Sequence, residues 1–466
     1  MTYDTAADEA IFTYGWDTAF AIPLREVNRA IVARRSSPQR MLRAEASHSV
    51  VARFGDWQVC QGGAGQVIRL RLPLCDGRLV FKGTGQSIHF DSAEAVVEVA
   101  LHYQPQGTLP GPDGARPYAL KVNPQPGDRP AMRVLDLKTH PALDPLSNAL
   151  VQQALADWGA RQLDEFDHLF CVVDLDRQVN QERWGYVTPH VVSYAYVDRE
   201  TEAESLLAVL CMTGSRTGED ATRAISPLAI PRGSARGFLI NQTRVLYDLV
   251  RPAIMQAFPG LDDLAFLMNE DATELYLAER AAPSLEALAH QGMRYYPQLT
   301  QLHARCAGHK LALTSQVRFE LSPGVMGLFR CQHSYRLGLL QTPGGQSLSF
   351  QQAGPAQIEL RLQQAEGSQI SSATLALSQP LQQRVLQALT ERAEAVLGGT
   401  LAGLMLGADQ MHPAWIAKVN RPESPPIDLL LAQAVRPIHW ATSTAYKVNY
   451  AGLNRALQLG ASPALA

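Results

Sequence analysis

The chain lays out one series of elements twice: a short helix, about a hundred residues of alternating strands, a long amphipathic helix and returning strands. A doubled layout of this kind constrains shape before chemistry. Each copy has a sheet with one apolar face and a long helix to set against it. The 466 residues also exceed the usual size of one core, so two modules are expected, residues 1–203 and 204–466.

The first module opens with a helix over 23–35, where Pro23 suits the first helical position and Leu24, Val27 and Ile31 share a face. Its long helix, 145–164, starts at the cap Asp144-Pro145 and places Leu146, Leu150, Ala154 and Trp158 on one side. The second module opens with a helix over 241–258, carrying Val245, Leu246, Leu249, Val250, Ala253, Ile254 and Ala257 and stopped by Pro259-Gly260. Pro252 inside that pattern predicts a kink or local break, because proline removes an internal hydrogen bond. The last helix, 380–398, buries Leu381, Val385, Leu389, Ala393 and Val396 and stops at Gly398-Gly399.

Between the helices, period-two alternation marks sheet wet on one face: Ile68, Leu70 and Leu72 against Arg69 and Arg71; Ile358, Leu360 and Leu362 against Glu359 and Arg361. Leu311, Leu313, Val317, Phe319 and Leu321 oppose Lys310, Thr314, Gln316, Arg318 and Glu320 in the same way. Residues 104–131 read as long hairpin connections, 214–236 as a mobile loop, and 407–436 as a proline-broken stretch.

Charge excludes bulk polyanion binding: 41 Lys and Arg against 44 Asp and Glu leave a formal net charge of -3, so no nucleic-acid partner is expected. The six cysteines, at 60, 75, 171, 211, 306 and 331, form no Cys-x-x-Cys pair and read as free thiols made in a reducing compartment. Met1 to Asp8 is polar and acidic, unlike a secretory signal, and no apolar run reaches the ~18 residues of a membrane span. The expectation is a soluble chain, cytoplasmic on synthesis, without a classical signal peptide. Release by a dedicated system or by lysis stays open.

Catalytic motifs are missing. There is no Gly-x-Ser-x-Gly elbow, Walker loop or His-Glu-x-x-His pair, and Gly83-Thr84-Gly85 and Gly62-Gly63-Ala64-Gly65 suit hairpin turns. Asp262-Asp263 and Asn269-Glu270-Asp271 sit in turn-like sequence. His303, Cys306 and His309 are the best zinc candidates, yet in a strand Cys306 points away from the other two. Cys331 and His333 would revive that site if their strand lay alongside. We therefore expect no enzyme, no metal and no cofactor.

Two binding patterns are left. Arg34, Arg35, Arg40 and Arg43 suit contact with a phospholipid headgroup, a peripheral membrane contact, or else decorate a helix C-terminus. Val245, Leu249, Ile254, Leu386 and Leu389 would line an apolar cavity, or else form plain core.

Several segments together resemble a known family. Tyr14-Gly15-Trp16-Asp17-Thr18-Ala19-Phe20, then Val27-Asn28-Arg29-Ala30-Ile31, is similar to the opening of the clostridial forty-seven-kilodalton accessory proteins and their OrfX relatives. Gly55-Asp56-Trp57-Gln58-Val59, Phe166-Asp167-His168-Leu169-Phe170-Cys171, Val191-Val192-Ser193-Tyr194-Ala195, Leu207-Ala208-Val209-Leu210-Cys211-Met212-Thr213 and Gly237-Phe238-Leu239-Ile240 follow in the family's order. The resemblance implies an α+β fold of two tubular lipid-binding (TULIP) modules, each a long amphipathic helix wrapped by a strongly curved antiparallel sheet. It also implies an accessory role in a toxin or insecticidal gene cluster, with a lipid or other hydrophobic small molecule as cargo. The rival expectation is a scaffold with filled tubes that engages other toxin-cluster proteins.

Overall fold

A computed structural model describes residues 9–107, 110, 111, 114–177, 185–258, 260–342, 345–366, 368–395, 430, 431, 434–441 and 446–463. It is a mixed α/β structure, mostly antiparallel sheet with few helices. The chain divides into a first unit, Thr13–Phe238 with Ala434–Lys447 and Ala461–Ala466, and a second, Leu239–Gln433 with Met1–Phe12 and Val448–Gly460. The boundary expected at 203/204 thus falls inside the first unit. The reason is the strand Leu206–Thr213, which pairs with both Thr18–Pro23 and Pro189–Val197 and so belongs with the earlier residues.

In the first unit Pro23 is the extended residue before the helix, which spans Leu24–Arg34 and buries Leu24, Val27, Ala30 and Ile31. Arg35 closes it in the left-handed region at φ 50°. A nine-stranded antiparallel sheet follows, built on the long hairpin of Val67–Phe81 and Ser87–Pro105. Ile68, Leu70 and Leu72 point to its buried face. The expected loop 104–131 contains a strand of that sheet, Arg116–Val122.

The long helix runs Pro145–Gln162, with Asp144 accepting from the Leu146 and Ser147 amides, and continues as a 3-10 turn to Glu165. Its buried stripe is rotated from the expected one. Ser147, Val151, Ala154, Leu155 and Trp158 face inward, while Leu146 is 66% exposed. Gly159 permits this packing: a Cβ there would lie 2.2 Å from the Met132 Cε on the strand beneath. Trp57 stacks on Phe166 at 4.7 Å and Phe54 meets Trp158 at 5.0 Å, so aromatic rings fill the space between helix and sheet. The expected mobile loop 214–236 is tied down: Trp16 Nε1 donates to the Thr222 carbonyl at 2.8 Å, and Ile225 and Ala229 are buried.

In the second unit a seven-stranded antiparallel sheet centres on Gln298–Ala307, Lys310–Ser322 and Val325–Thr342. Leu311, Leu313, Val317, Phe319 and Leu321 are all buried, as their parity requires. Gly327, opposite Phe319, leaves room for Phe319 and Phe329 to stack at 4.8 Å. The irregularity near Pro252 is a π turn, Val245–Val250, directly before the helix Arg251–Ala257. Pro259 lies outside the described residues.

The last helix starts earlier than expected, at Ser372, with the Ser371 hydroxyl accepting from the Thr374 amide. It runs to Glu394, so Pro380 is internal. Val396, Gly398, Gly399 and 407–429 lie outside the described residues.

Candidate functional site

The helix Ser372–Glu394 buries only one residue per turn, Thr374, Ser378, Leu381, Val385, Leu389 and Ala393. Two of those six carry hydroxyls, so the seam against the sheet is narrow and partly polar. Ser322 and Thr374 share a hydrogen bond at 3.1 Å, and the His333 imidazole meets Thr390 Oγ1 at 3.1 Å. Burial pushes the His333 pKa down and the Tyr335 hydroxyl up to about 12. Neither His333 Nδ1 nor the Tyr335 hydroxyl has a hydrogen-bond partner among the described residues.

Beside this seam the helix does not close on the sheet. A hollow of about 340 Å³ lies between its last turns and the stems of a separate hairpin, Leu288–His290 with Met293–Tyr295. Val317 comes from the sheet, Val385 and Leu389 from the helix, and Leu285, Leu288 and Pro297 from the hairpin side. Tyr295 pins the hairpin edge-on to Phe319 at 5.7 Å. At the rim, exposed Glu286 and Glu391 face water, and Arg392 donates from Nη1 to the Ala257 carbonyl at 2.5 Å. The size falls at the low end of small-ligand pockets. An apolar wall with a charged rim suits an amphiphile better than a polar metabolite.

Of the residues expected to line a cavity, Leu389 does. Leu386 is half-buried and faces elsewhere. Val245, Leu249 and Ile254 are at most 1% exposed and are not among the lining residues of the hollow; they form solid core. The hairpin contribution was invisible to helix periodicity, because Leu285, Leu288 and Pro297 lie in a short irregular stretch.

The arginine run disperses. Arg40 and Arg43, three residues apart on the strand Arg40–Ala44, fall on opposite faces, so they cannot hold one headgroup together. Arg34 donates to the Ala441 carbonyl at 2.9 Å, Arg43 pairs with Glu45, and Arg35 is exposed.

The zinc candidates also separate. His303 binds Glu274 at 3.1 Å and stacks on Tyr276, while Cys306 faces the core. Cys331 and His333 lie on Val325–Thr342, with Lys310–Ser322 between them and His303. Among the described residues no group of three His, Cys, Asp or Glu is placed to hold a metal ion. Burial pushes the Cys306 and Cys331 thiols up to about 12, away from nucleophilic thiolate chemistry. No helix among the described residues is long and apolar enough to cross a membrane.

A protein of mostly antiparallel sheet, with a long helix against a sheet in each unit, is the class these features define. P47 of Clostridium botulinum A2 has this fold: the superposition covers 99% of this chain and 100% of that one, with a TM-score of 0.66 at 15% sequence identity. The chain belongs to the OrfX-like family (Protein OrfX2/OrfX3/P47), matched over residues 13–461. Protein OrfX3 of Paraclostridium bifermentans is 29% identical over 484 aligned positions, covering 96% of this chain and 97% of that protein. Protein OrfX3 of Clostridium botulinum (strain Kyoto / Type A2) is 27% identical, with 96% and 98% covered.

Proposed function

We propose that this protein is a non-enzymatic binder of a lipid or similar amphiphile, acting as an accessory component of a toxin gene cluster. The observation that carries the binding is the hollow of about 340 Å³ walled by Val317, Val385 and Leu389 beside a narrow, partly polar helix seam. The TULIP reading of the layout supports it, since helix against sheet is where such a fold carries an acyl chain. The toxin-cluster role rests on the OrfX-like family membership. A scaffold reading, with filled modules engaging other cluster proteins, draws support from the complete burial of Val245, Leu249 and Ile254 and the aromatic filling of the first unit.

The two readings part in one experiment. Protein purified in the native state is denatured, extracted with organic solvent and examined by mass spectrometry, and fresh protein is titrated with a fluorescent fatty acid. Lipid recovered, and uptake abolished by Leu389→Arg at unchanged circular dichroism, is the expected result. No lipid and no uptake of fatty acid or phospholipid leaves the scaffold. Leu249→Arg is the contrast: it strikes closed core and should lower stability first.

A further inference from the structure

The strand Gln357–Gln364 lies at an open edge of the second unit's sheet. It pairs along Val325–Thr342 without a break, from Gln364 opposite Val325 to Gln357 opposite Gln332, and among the described residues no strand pairs with its other side. The strand Gly345–Gln352 takes a different stretch of Val325–Thr342 and leaves that edge open. Natural edges are usually blunted by proline, lysine or a bulge. Residues 357–364 contain neither proline nor lysine, their pairing has no bulge, and their two charges, Glu359 and Arg361, have opposite signs.

Along this strand Ile358, Leu360 and Leu362 are half-buried on one face. On the other face the side chains of Glu359 and Arg361 are 64% and 76% exposed and meet each other only at 3.8 Å. Gln382 Nε2 donates to the Ile358 carbonyl at 3.4 Å, so the flank of the helix Ser372–Glu394 that carries Gln382 runs beside the strand. Leu375 and Leu386 share that flank at helical spacing; Leu375 is 52% exposed and Leu386 half-buried. An open edge and an incompletely covered apolar strip thus lie together. The hollow of about 340 Å³ opens on the other flank, at Ala388 and Arg392.

We propose that this edge pairs with the same edge of a second copy of this chain, antiparallel about a two-fold axis at Leu360. The charges choose the register. Residues opposite one another in an antiparallel pair share a face, so the apolar row stays together only where odd-numbered positions meet odd-numbered ones. With Leu360 opposite Leu360, Glu359 of each copy stands opposite Arg361 of the other, and Ile358 opposite Leu362. The neighbouring registers centre on Glu359 or on Arg361 and set like charges face to face. A second copy therefore matches both charges by symmetry, which an unrelated strand would do only by chance. The same axis turns the flanks bearing Leu375 and Leu386 towards each other. An edge of eight residues makes a small interface, so the dimer is weak and forms at micromolar concentration.

The test follows the full chain by sedimentation velocity from about 1 to about 100 µM at physiological salt. Wild type should pass from monomer to dimer across that range. Glu359→Arg and Arg361→Glu each set like charges opposite one another in the pair, and each should weaken the dimer at least about tenfold. The swap Glu359→Arg/Arg361→Glu should restore it, and an equimolar mixture of the two single variants should pair as wild type does. Both side chains are exposed, so circular dichroism and Tm should stay at the wild-type values in every variant. A monomer throughout the range overturns the proposal, and slow amide exchange along 357–364 in that monomer gives the edge to another segment of the same chain. A dimer that ignores both single variants, or that the swap does not restore, overturns it equally.

Discussion

Cutting the buried ion pair between Glu26 and Arg236 should destabilise the first unit strongly. The Arg236 side chain is 2% exposed and that of Glu26 10%, and Nε and Nη2 of Arg236 reach the same Glu26 oxygen at 3.1 and 2.7 Å. Burial is strong enough to pull the Arg236 pKa down to about 10 against the pull of its partner. Glu26→Ala leaves that guanidinium buried without its carboxylate, a loss of about 3–5 kcal/mol. For a unit of this size each kcal/mol moves Tm by about 2–4 °C, so a fall of about 6–20 °C is expected. Tryptophan fluorescence in urea follows the effect in a Trp415→Phe background, because Trp415 is the one of the six tryptophans in the stretch Leu239–Gln433 of the second unit. The double variant Glu26→Leu/Arg236→Met should recover most of the loss, since apolar side chains of similar size need no solvation. A single-variant loss below about 1 kcal/mol, or a double variant as weak as the single, refutes the reasoning.

Acid should destabilise the first unit through His168, whose fully buried ring is pushed down to about 3 by burial with Arg34 nearby. A folded pKa below the unfolded 6.5 means stability is intact above pH 6.5 and is lost as pH falls towards 3, about 2 kcal/mol by pH 5; His168→Phe should flatten that slope in urea titrations. Gly159→Ala should cost about 1–3 kcal/mol despite alanine's better helix propensity, because the new Cβ meets Met132; Met132→Ala in the same chain should return part of it. Leu389→Phe should change stability by less than about 1 kcal/mol if the groove has room for the ring, and should weaken fatty-acid uptake; a loss above about 2 kcal/mol would show the wall already closed.

What was legible in the sequence was whatever a local period could express. Period two placed Leu311 to Leu321 on the buried face, and the Asp144-Pro145 cap placed the start of the long helix to the residue. Period 3.6 found that helix but turned it by part of a turn. The pattern was anchored on Leu146, whereas the close approach is set by Gly159 over Met132, a contact that no helical wheel contains. Pro380 suits a first helical turn, yet the Ser371 cap nine residues earlier starts the helix. The resemblance segments are explained by packing. Asp17 is fully buried and accepts from Thr213 at 2.9 and 3.0 Å, and Asn28 exchanges two hydrogen bonds with the Val59 backbone. Binding residues were less legible. Leu285, Leu288 and Pro297 reach the groove only through tertiary structure, while the conspicuous run at 34–43 is split by strand parity at Arg40 and Arg43.

The helix–sheet seams differ in what fills them, and that difference bears on function. In the first unit four large rings, Phe54, Trp57, Trp158 and Phe166, occupy the space under the helix, and Trp57 and Trp158 are at most 1% exposed. Displacing such a stack to admit an acyl chain would forfeit the burial of several aromatic side chains, about 1.5–3 kcal/mol each. The second unit has small hydroxyl residues, an imidazole with one nitrogen unmatched among the described residues and a hollow at the corresponding seam. Opening it costs little apolar contact, and a hydrophobic guest would restore what the narrow stripe lacks. On the proposed lipid reading a guest is therefore favoured in the second unit alone, and the first unit is left to hold its form. A chain with two equally hollow modules would take up two equivalents of fatty acid. This one should saturate at one, and Leu389→Arg should abolish that single equivalent.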